Sequence, residues 1–175
     1  MYWILFVMAT LVSVVIAMVV GGLATPRRHT ASRTILLPKT PAAKVWETVR
    51  NVSAYPDWRD DIQSIEFASD SSELAWTEYS RQGAVSYRAT VDEPPSRFTA
   101  LITDDDLPYS GEWQYSLSSV GEGTRVVITE QGEVGNPIFR FFGAHILGYT
   151  RTIDAYLRDL AVQLNEQARP EPVSS

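Results

Sequence analysis

A long amphipathic stretch near the C-terminus, residues 135–167, constrains the fold more than any other feature of this sequence. Asn136 is a favourable N-cap, and Pro137 suits the first helical position. Apolar residues then recur every three or four positions: Ile138, Phe142, Ile146, Tyr149, Ile153, Leu157, Leu160 and Leu164. This spacing predicts one helix of about 30 residues, roughly 45 Å long, with a single apolar stripe. A broad apolar surface elsewhere in the chain must cover that stripe.

The middle of the chain supplies this surface as a series of strands. Between residues 61 and 133 apolar and polar residues alternate, which predicts six strands, the first of them followed by a turn at 69–72. A further strand at 33–38 and a short helix ending near Asn51 precede them. Because the connections between consecutive strands are short, we expect an antiparallel meander with one apolar face.

The N-terminal segment is long and apolar enough to cross a membrane. Residues 1–26 carry no charged side chain, and about 20 apolar residues span a bilayer, so residues 1–24 are predicted to form a transmembrane helix. A cleaved signal peptide is the alternative, with Gly-Leu-Ala at 22–24 as its cleavage site. We favour a retained anchor, because no Lys or Arg precedes the segment and its apolar core exceeds the usual ~7–15 residues.

Flanking charge predicts the orientation of this anchor. Arg27, Arg28 and Arg33 follow the apolar segment, and the positive-inside rule then places the C-terminal domain in the cytoplasm. The expected protein is single-pass, in a bacterial inner membrane. Its parts are the helix, a linker at 25–32, a domain at 33–168 and a disordered tail at 169–175.

Composition excludes several kinds of site. The chain has no cysteine and only two histidines, which excludes disulfides, thiolate catalysis and Cys- or His-rich metal sites, and we expect no metal and no cofactor. From residue 34 onward, 12 Lys and Arg face 21 Asp and Glu, a net charge of −9. Such an acidic domain is a poor candidate for binding nucleic acid.

Four stretches of the sequence carry a family resemblance. They are Pro-Ala-Ala-Lys-Val-Trp at 41–46, Tyr-Pro-Asp-Trp at 55–58, Gly-Thr-Arg-Val at 123–126 and the apolar end of the last helix at 157–164. With them, residues 33–167 resemble the START-like (SRPBCC) helix-grip superfamily, in its polyketide cyclase/dehydrase and lipid-transport branch. The resemblance implies an α+β fold in which a curved antiparallel sheet wraps around a long C-terminal helix. The N-terminal anchor is not part of the family pattern.

The resemblance also implies a hydrophobic cavity between the sheet and the last helix. Strand and helix phase direct seven aromatic residues towards it: Trp76, Tyr87, Phe98, Trp113, Tyr115, Phe142 and Tyr149. Any one of them is more simply explained as core packing, whereas the set favours a partly open cavity. Gly143 and Gly148 favour it too, because glycine inside a helix costs ~1 kcal/mol and calls for a packing or access reason.

Three residues are candidates for acid–base catalysis. Glu78 and Glu130 continue the inward phase of their strands, and a carboxyl group on an apolar wall has a raised pKa. For both we favour the simpler interpretation, a strand end that reaches solvent. His145 flanks the apolar stripe and could donate into the cavity, although we favour a satisfied wall residue.

The start of the last helix carries more apolar residues than one stripe can bury. Phe139 and Phe141 both lie beside Ile138 and Phe142, so part of this patch should be exposed, as membrane-contacting patches are. We therefore expect a lip of the cavity that touches the bilayer.

Three functions are compatible with these features. The favoured one is membrane-anchored, non-catalytic binding or transport of a hydrophobic small molecule such as a lipid, isoprenoid or polyketide, since such ligands partition into membranes. The alternatives are a cyclase or dehydratase that uses cavity acid–base residues, and an interaction module of a membrane complex.

Overall fold

The computed structural model describes residues 2–69 and 72–173, apart from the side chain of Leu147. Its helices are α1 (Tyr2–Ala24), α2 (Ala42–Arg50), α3 (Tyr55–Trp58), α4 (Pro137–Phe142) and α5 (Arg151–Gln163). Its strands are β1 (Arg28–Leu37), β2 (Ile62–Phe67), β3 (Ala75–Ser80), β4 (Gly83–Glu93), β5 (Arg97–Ile102), β6 (Tyr109–Val120), β7 (Gly123–Val134) and β8 (Glu171–Pro172). The turn predicted at 69–72 falls partly outside the described residues.

The strands form one sheet in the order β2-β3-β4-β5-β6-β7-β1-β8. Every adjacent pair is antiparallel, so the six consecutive strands β2 to β7 form the predicted meander, and β1 closes it against β7. The longest pairing joins β6 to β7, from Tyr109 opposite Val134 to Val120 opposite Gly123. The curved antiparallel sheet with C-terminal helices confirms the predicted helix-grip α+β fold.

The core fills the concave side of this sheet. Helix α2 buries Val45, Trp46 and Val49, as its spacing predicts. Helix α5 buries Ile153, Leu157 and Leu160 through their spacing of three or four residues. These side chains pack in one cluster with buried residues of β1, β5, β6 and β7. The sheet and helix α5 thus share the apolar surface that the sequence requires.

The prediction of one continuous helix from 135 to 167 is wrong. Asn136 does cap α4, since its Oδ1 atom accepts from the backbone nitrogen of Ile138 at 2.9 Å. The chain then passes through a π-helical turn (Gly143–Leu147) and bends at Gly148, whose φ of +73° suits glycine. Helix α5 starts only at Arg151. The apolar spacing continues across the break, but its first half faces a different neighbour.

That neighbour is the end of helix α1. Residues 2–17 of α1 are exposed, whereas Gly22 is buried against α4. A Cβ atom at Gly22 would collide with the backbone carbonyl of Pro137, and one at Gly21 would lie 2.8 Å from the Phe141 ring. Arg140, itself buried, donates from Nη1 to the carbonyl oxygen of Thr25 at 3.0 Å. The two glycines therefore allow α1 and α4 to pack backbone to backbone.

Two predicted boundaries need correction. The linker placed at 25–32 is shorter, because β1 starts at Arg28 and pairs with β7 from there onward. The tail placed at 169–175 is ordered in part, since Glu171 and Pro172 pair with Thr34 and Arg33. Both boundaries are set by main-chain hydrogen bonds between strands, which the pattern of side chains does not reveal. The last two tail residues, 174 and 175, lie outside the described part of the chain.

Candidate functional site

A partly open cavity of about 120 Å³ lies on the concave face of the sheet. Strands β3 to β6 form most of its wall, and Thr152 in the first turn of α5 borders it opposite. Its lining residues are Arg59, Asp61, Ile62, Trp76, Glu78, Ser80, Gln82, Val85, Tyr87, Ala100, Trp113, Tyr115 and Thr152. Gln82, in the β3–β4 turn, is exposed, so this turn marks the side that meets solvent.

Arg59 and two carboxylates form the charged group of the cavity. Arg59 follows α3, and its Nη1 atom donates to both oxygens of Glu78, at 3.2 and 3.1 Å. Its Nε and Nη2 atoms donate to Asp61, at 3.2 and 2.8 Å. The indole nitrogen of Trp76 donates to Oε1 of Glu78 at 3.1 Å. Glu78 therefore receives three hydrogen bonds, which suit its ionised form.

Burial and charge oppose each other in this group. The side chains of Arg59 and Glu78 are only 7% and 9% exposed. Burial raises the pKa of Glu78 above its ordinary value, and the Arg59 guanidinium counteracts that shift. Burial disfavours the charge on Arg59, but the carboxylates of Glu78 and Asp61 outweigh it and raise the pKa of Arg59. Each member of the pair therefore favours the charged form of the other.

The remaining wall is aromatic. Trp76 stacks on Tyr87 with ring centres 5.5 Å apart, and Trp113 lies 6.2 Å from Tyr115. Burial raises the pKa of both Tyr87 and Tyr115, and the negative charge of Glu78 adds to both shifts. These phenols are therefore neutral at physiological pH and able to donate a hydrogen bond into the cavity.

The structure brings together four of the seven aromatic residues predicted for the cavity, namely those on β3, β4 and β6: Trp76, Tyr87, Trp113 and Tyr115. Phe98 is buried in the core beside Trp76, at 6.2 Å between ring centres, and does not line the cavity. Phe142 packs against Phe141, and Tyr149 stacks on His29 at 3.6 Å. Both lie outside the cavity because the helix breaks before α5.

The three acid–base candidates lie in three different places. Glu78 lines the cavity and is buried, so the expectation that it reaches solvent at a strand end is wrong, because Arg59 covers it. Glu130 is half-buried outside the cavity lining, where its Oε1 atom lies 3.2 Å from Nε2 of His29. Burial raises the pKa of Glu130, and His29 opposes the shift.

His145 lies away from the cavity, so its placement as a wall residue is also wrong. It is exposed, with its Nε2 atom 3.4 Å from Oγ1 of Thr25, beside the end of helix α1. Its ring centre is 5.1 Å from that of Phe141. The π-helical turn that carries His145 faces α1 rather than the sheet, which a continuous helix would not have allowed.

The apolar patch on α4 divides into two parts. Phe139 is 54% exposed and Ile146, in the π-helical turn, is 58% exposed. Phe141 instead packs on Gly21 of α1. The predicted exposure therefore holds for Phe139, whereas Phe141 joins α4 to α1.

Comparison with known proteins gives the family. The family model described as "Polyketide cyclase / dehydrase and lipid transport" matches residues 28–164. The chain belongs to this family. A search of curated proteins finds no match. The matched range begins at β1 and ends just after α5, so helix α1 is an addition to the polyketide cyclase/dehydrase and lipid-transport domain.

Solved structures agree on the fold of this polyketide cyclase/dehydrase and lipid-transport domain. A conserved protein from Geobacillus kaustophilus is 15% identical with a TM-score of 0.65, over 82% of this chain and 99% of the other. The Zhui aromatase/cyclase from Streptomyces sp. R1128 is 12% identical with a TM-score of 0.62, over 79% and 94%. A START superfamily protein from Mycobacterium smegmatis is 15% identical with a TM-score of 0.59, over 78% and 97%. At such identities the likeness shows the fold and not a shared ligand.

Neither Arg59 nor His29 was predicted from the sequence to be the partner of a carboxylate. Arg59 follows the Tyr-Pro-Asp-Trp stretch, and nothing in its local pattern separates it from a surface arginine. A buried Glu78 on an apolar strand face was the one available signal, because a buried carboxylate requires a partner. His29 lies in the segment that was predicted to be a linker. Its contact with Glu130, from β1 to β7, could therefore not be predicted.

Proposed function

We propose that this protein is a membrane-anchored domain that binds a hydrophobic small molecule, such as a lipid, isoprenoid or polyketide-like compound, in the cavity of its sheet. The observation that carries the proposal is the partly open cavity, whose wall combines four aromatic side chains with one charged group. Apolar walls with a few placed polar groups are typical of small-molecule sites. Membership of the polyketide cyclase/dehydrase and lipid-transport family supports it.

The size of the cavity limits how much of the ligand it encloses. About 120 Å³ is less than the roughly 300–1,000 Å³ of a site that surrounds a drug-sized ligand. An apolar cavity of about 150 Å³ accommodates one benzene ring. We therefore infer that only one end of the ligand, no larger than about one ring, enters the cavity, while the rest leaves through the open side near Gln82 and Thr152.

A binding function fits the charged group better than a catalytic one. Glu78 accepts three hydrogen bonds from Arg59 and Trp76, so its lone pairs are largely committed to the protein. Glu130 and His145, the other acid–base candidates, do not line the cavity. A cyclase or dehydratase that uses Glu78 alone is the second candidate, supported by its buried position and raised pKa.

We further propose that helix α1 is a retained membrane anchor. Among the described residues it is the one helix long and apolar enough to cross a membrane, a property that a signal sequence near the N-terminus shares. Cleavage after Ala24 would remove Gly21 and Gly22 and uncover the α4 surface that they contact. The arginines after α1 favour a cytoplasmic domain, as in a bacterial inner-membrane protein.

Filling the cavity should abolish ligand binding. Ala100→Leu adds three carbon atoms at a buried lining position, whereas the control Ala75→Leu adds them on the opposite face of β3. We expect native mass spectrometry of gently extracted protein to show a bound apolar molecule in the wild type and the control, and at least tenfold less in Ala100→Leu. Equal occupancy in all three proteins, or none in the wild type, would contradict the proposal.

The exposed part of the α4 patch should contact lipid. Because the chain has no cysteine, Phe139→Cys and Val162→Cys each carry one nitroxide label at an exposed site. In lipid nanodiscs we expect the label at 139 to collide mainly with membrane-dissolved oxygen, and the label at 162, on α5, mainly with an aqueous nickel complex. Equal preference for the nickel complex at both sites would exclude membrane contact by α4.

A further inference from the structure

The charged group of the cavity offers no free positive charge. Each of the three guanidinium nitrogen atoms of Arg59 already donates to a carboxylate, Nη1 to Glu78 and Nε with Nη2 to Asp61. The guanidinium is buried, and its central carbon lies 5.0 Å from the ring centre of Tyr55. Four of the five N–H groups of Arg59 donate to Glu78 or Asp61, so an anionic ligand would find at most one N–H of Arg59 and would face both carboxylates.

Negative charge is in excess at the same place. Glu78 and Asp61 carry two negative charges against the single positive charge of Arg59, and all three residues line the cavity. Arg59, Asp61 and Glu78 are the charged residues of the lining as the structure describes it. The part of the chain after residue 33 is acidic as well, with 12 Lys and Arg against 21 Asp and Glu. The charges of the cavity lining and those of the domain as a whole therefore both favour binding of a cation.

The aromatic wall suits the same kind of ligand. The faces of tryptophan and tyrosine rings attract cations within about 6 Å, most strongly when water is excluded. Trp76, Tyr87, Trp113 and Tyr115 surround a cavity large enough for one ammonium group with a small apolar substituent. Aromatic rings are used by proteins to hold alkylammonium ions, and a neighbouring negative charge adds to the attraction.

We infer that the ligand carries a cationic nitrogen, and that its ammonium group enters the cavity between the aromatic rings and the Glu78–Asp61 carboxylates. This inference rests on the proposed binding function and names the chemical class of ligand for that site. Fatty acids, phosphates and other anions are excluded as the group that enters. The remainder of the ligand is apolar and extends through the open side of the cavity.

Three probes of similar size and different charge test the inference. Calorimetric titration of the full-length protein in uncharged detergent at pH 7 would compare 2-phenylethylamine, 2-phenylethanol and 3-phenylpropionate. We expect the amine to bind at least tenfold more tightly than the carboxylate, with the alcohol between them. Binding of the alcohol or the carboxylate as tight as that of the amine would overturn the inference and leave the binding function intact. If no probe binds, the inference fails, and the binding function is then decided by native mass spectrometry of the wild type and Ala100→Leu.

A charge variant separates the effect of the cavity from that of the detergent. Asp61→Asn removes one negative charge from a side chain that is 42% exposed and leaves the Arg59–Glu78 pair in place. We expect it to reduce the preference for amine over alcohol roughly tenfold. Asp60→Asn, at the exposed neighbouring position outside the cavity lining, should retain the preference. An equal loss in both variants, or in neither, would contradict a specific carboxylate site.

Discussion

Replacement of Glu78 by glutamine should lower the free energy of unfolding by about 3 kcal/mol, because it leaves the buried guanidinium of Arg59 without its buried counter-charge. Asp61 keeps its bonds to Arg59, but it is far more exposed than Glu78. The amide introduced by Glu78→Gln would also face the donors of Arg59 and Trp76 with only one oxygen atom to accept them. Urea unfolding followed by tryptophan fluorescence would measure the change.

The double variant Arg59→Met, Glu78→Met distinguishes charge from packing. Removal of both partners eliminates the uncompensated charge, and replacement of a buried pair by apolar residues is often neutral or stabilising. We expect the double variant to unfold within about 1 kcal/mol of the wild type. Glu93→Gln is the matched control, since Glu93 and Arg97 form an exposed pair worth at most about 1 kcal/mol. A double variant as unstable as Glu78→Gln would show that the loss reflects packing and not charge.

Burial of the Arg59–Glu78 pair affects the interpretation of activity measurements on Glu78→Gln. A carrier that performs no chemistry should keep its function in Glu78→Gln if the variant folds. Because Glu78 is buried against Arg59, loss of function in that variant would follow from loss of folding as readily as from loss of chemistry. Glu130→Gln does not test chemistry in the cavity, because Glu130 lies outside its lining.

The strands could be predicted from sequence because their signal is local. Alternation along β3 places Trp76 and Glu78 on one face, and the same rule places Tyr87, Trp113 and Tyr115 on their strands. Consecutive strands joined by short turns leave little choice of topology. The fold class and most of the cavity wall therefore follow from residues that are near each other in the chain.

The remainder of the site depends on contacts between distant segments. Arg59 reaches Glu78 across 19 positions, and His29 reaches Glu130 across 101. The break in the C-terminal helix also has a distant cause, since α4 turns away from the sheet to pack on Gly21 and Gly22 of α1. The apolar spacing continues through Gly143 and Gly148, because each half of the stripe packs against a different partner. The spacing alone therefore does not reveal the break.

The contact between α1 and α4 should be lost when a single methyl group is added at Gly22. In Gly22→Ala the new Cβ atom would overlap the backbone carbonyl of Pro137, which no side-chain rotation can relieve, so we expect a cost of about 1–3 kcal/mol. Alanine otherwise favours a helix over glycine by ~1 kcal/mol. Weaker packing of α1 on α4 in Gly22→Ala would therefore not result from a less stable helix α1. Gly135→Ala is the matched control, because a Cβ atom there meets no other atom.

Cross-linking would measure this docking. Thr25→Cys and His145→Cys place two thiols at positions whose native side chains lie 3.4 Å apart, in a chain without other cysteines. With a short bis-maleimide in detergent micelles, we expect Gly22→Ala to reduce the yield roughly tenfold, since each 1.4 kcal/mol changes an equilibrium tenfold. Gly135→Ala should leave it unchanged. Equal yields in both variants would mean that α1 is a flexible tether, and the argument for its retention from the α4 contact would then fail.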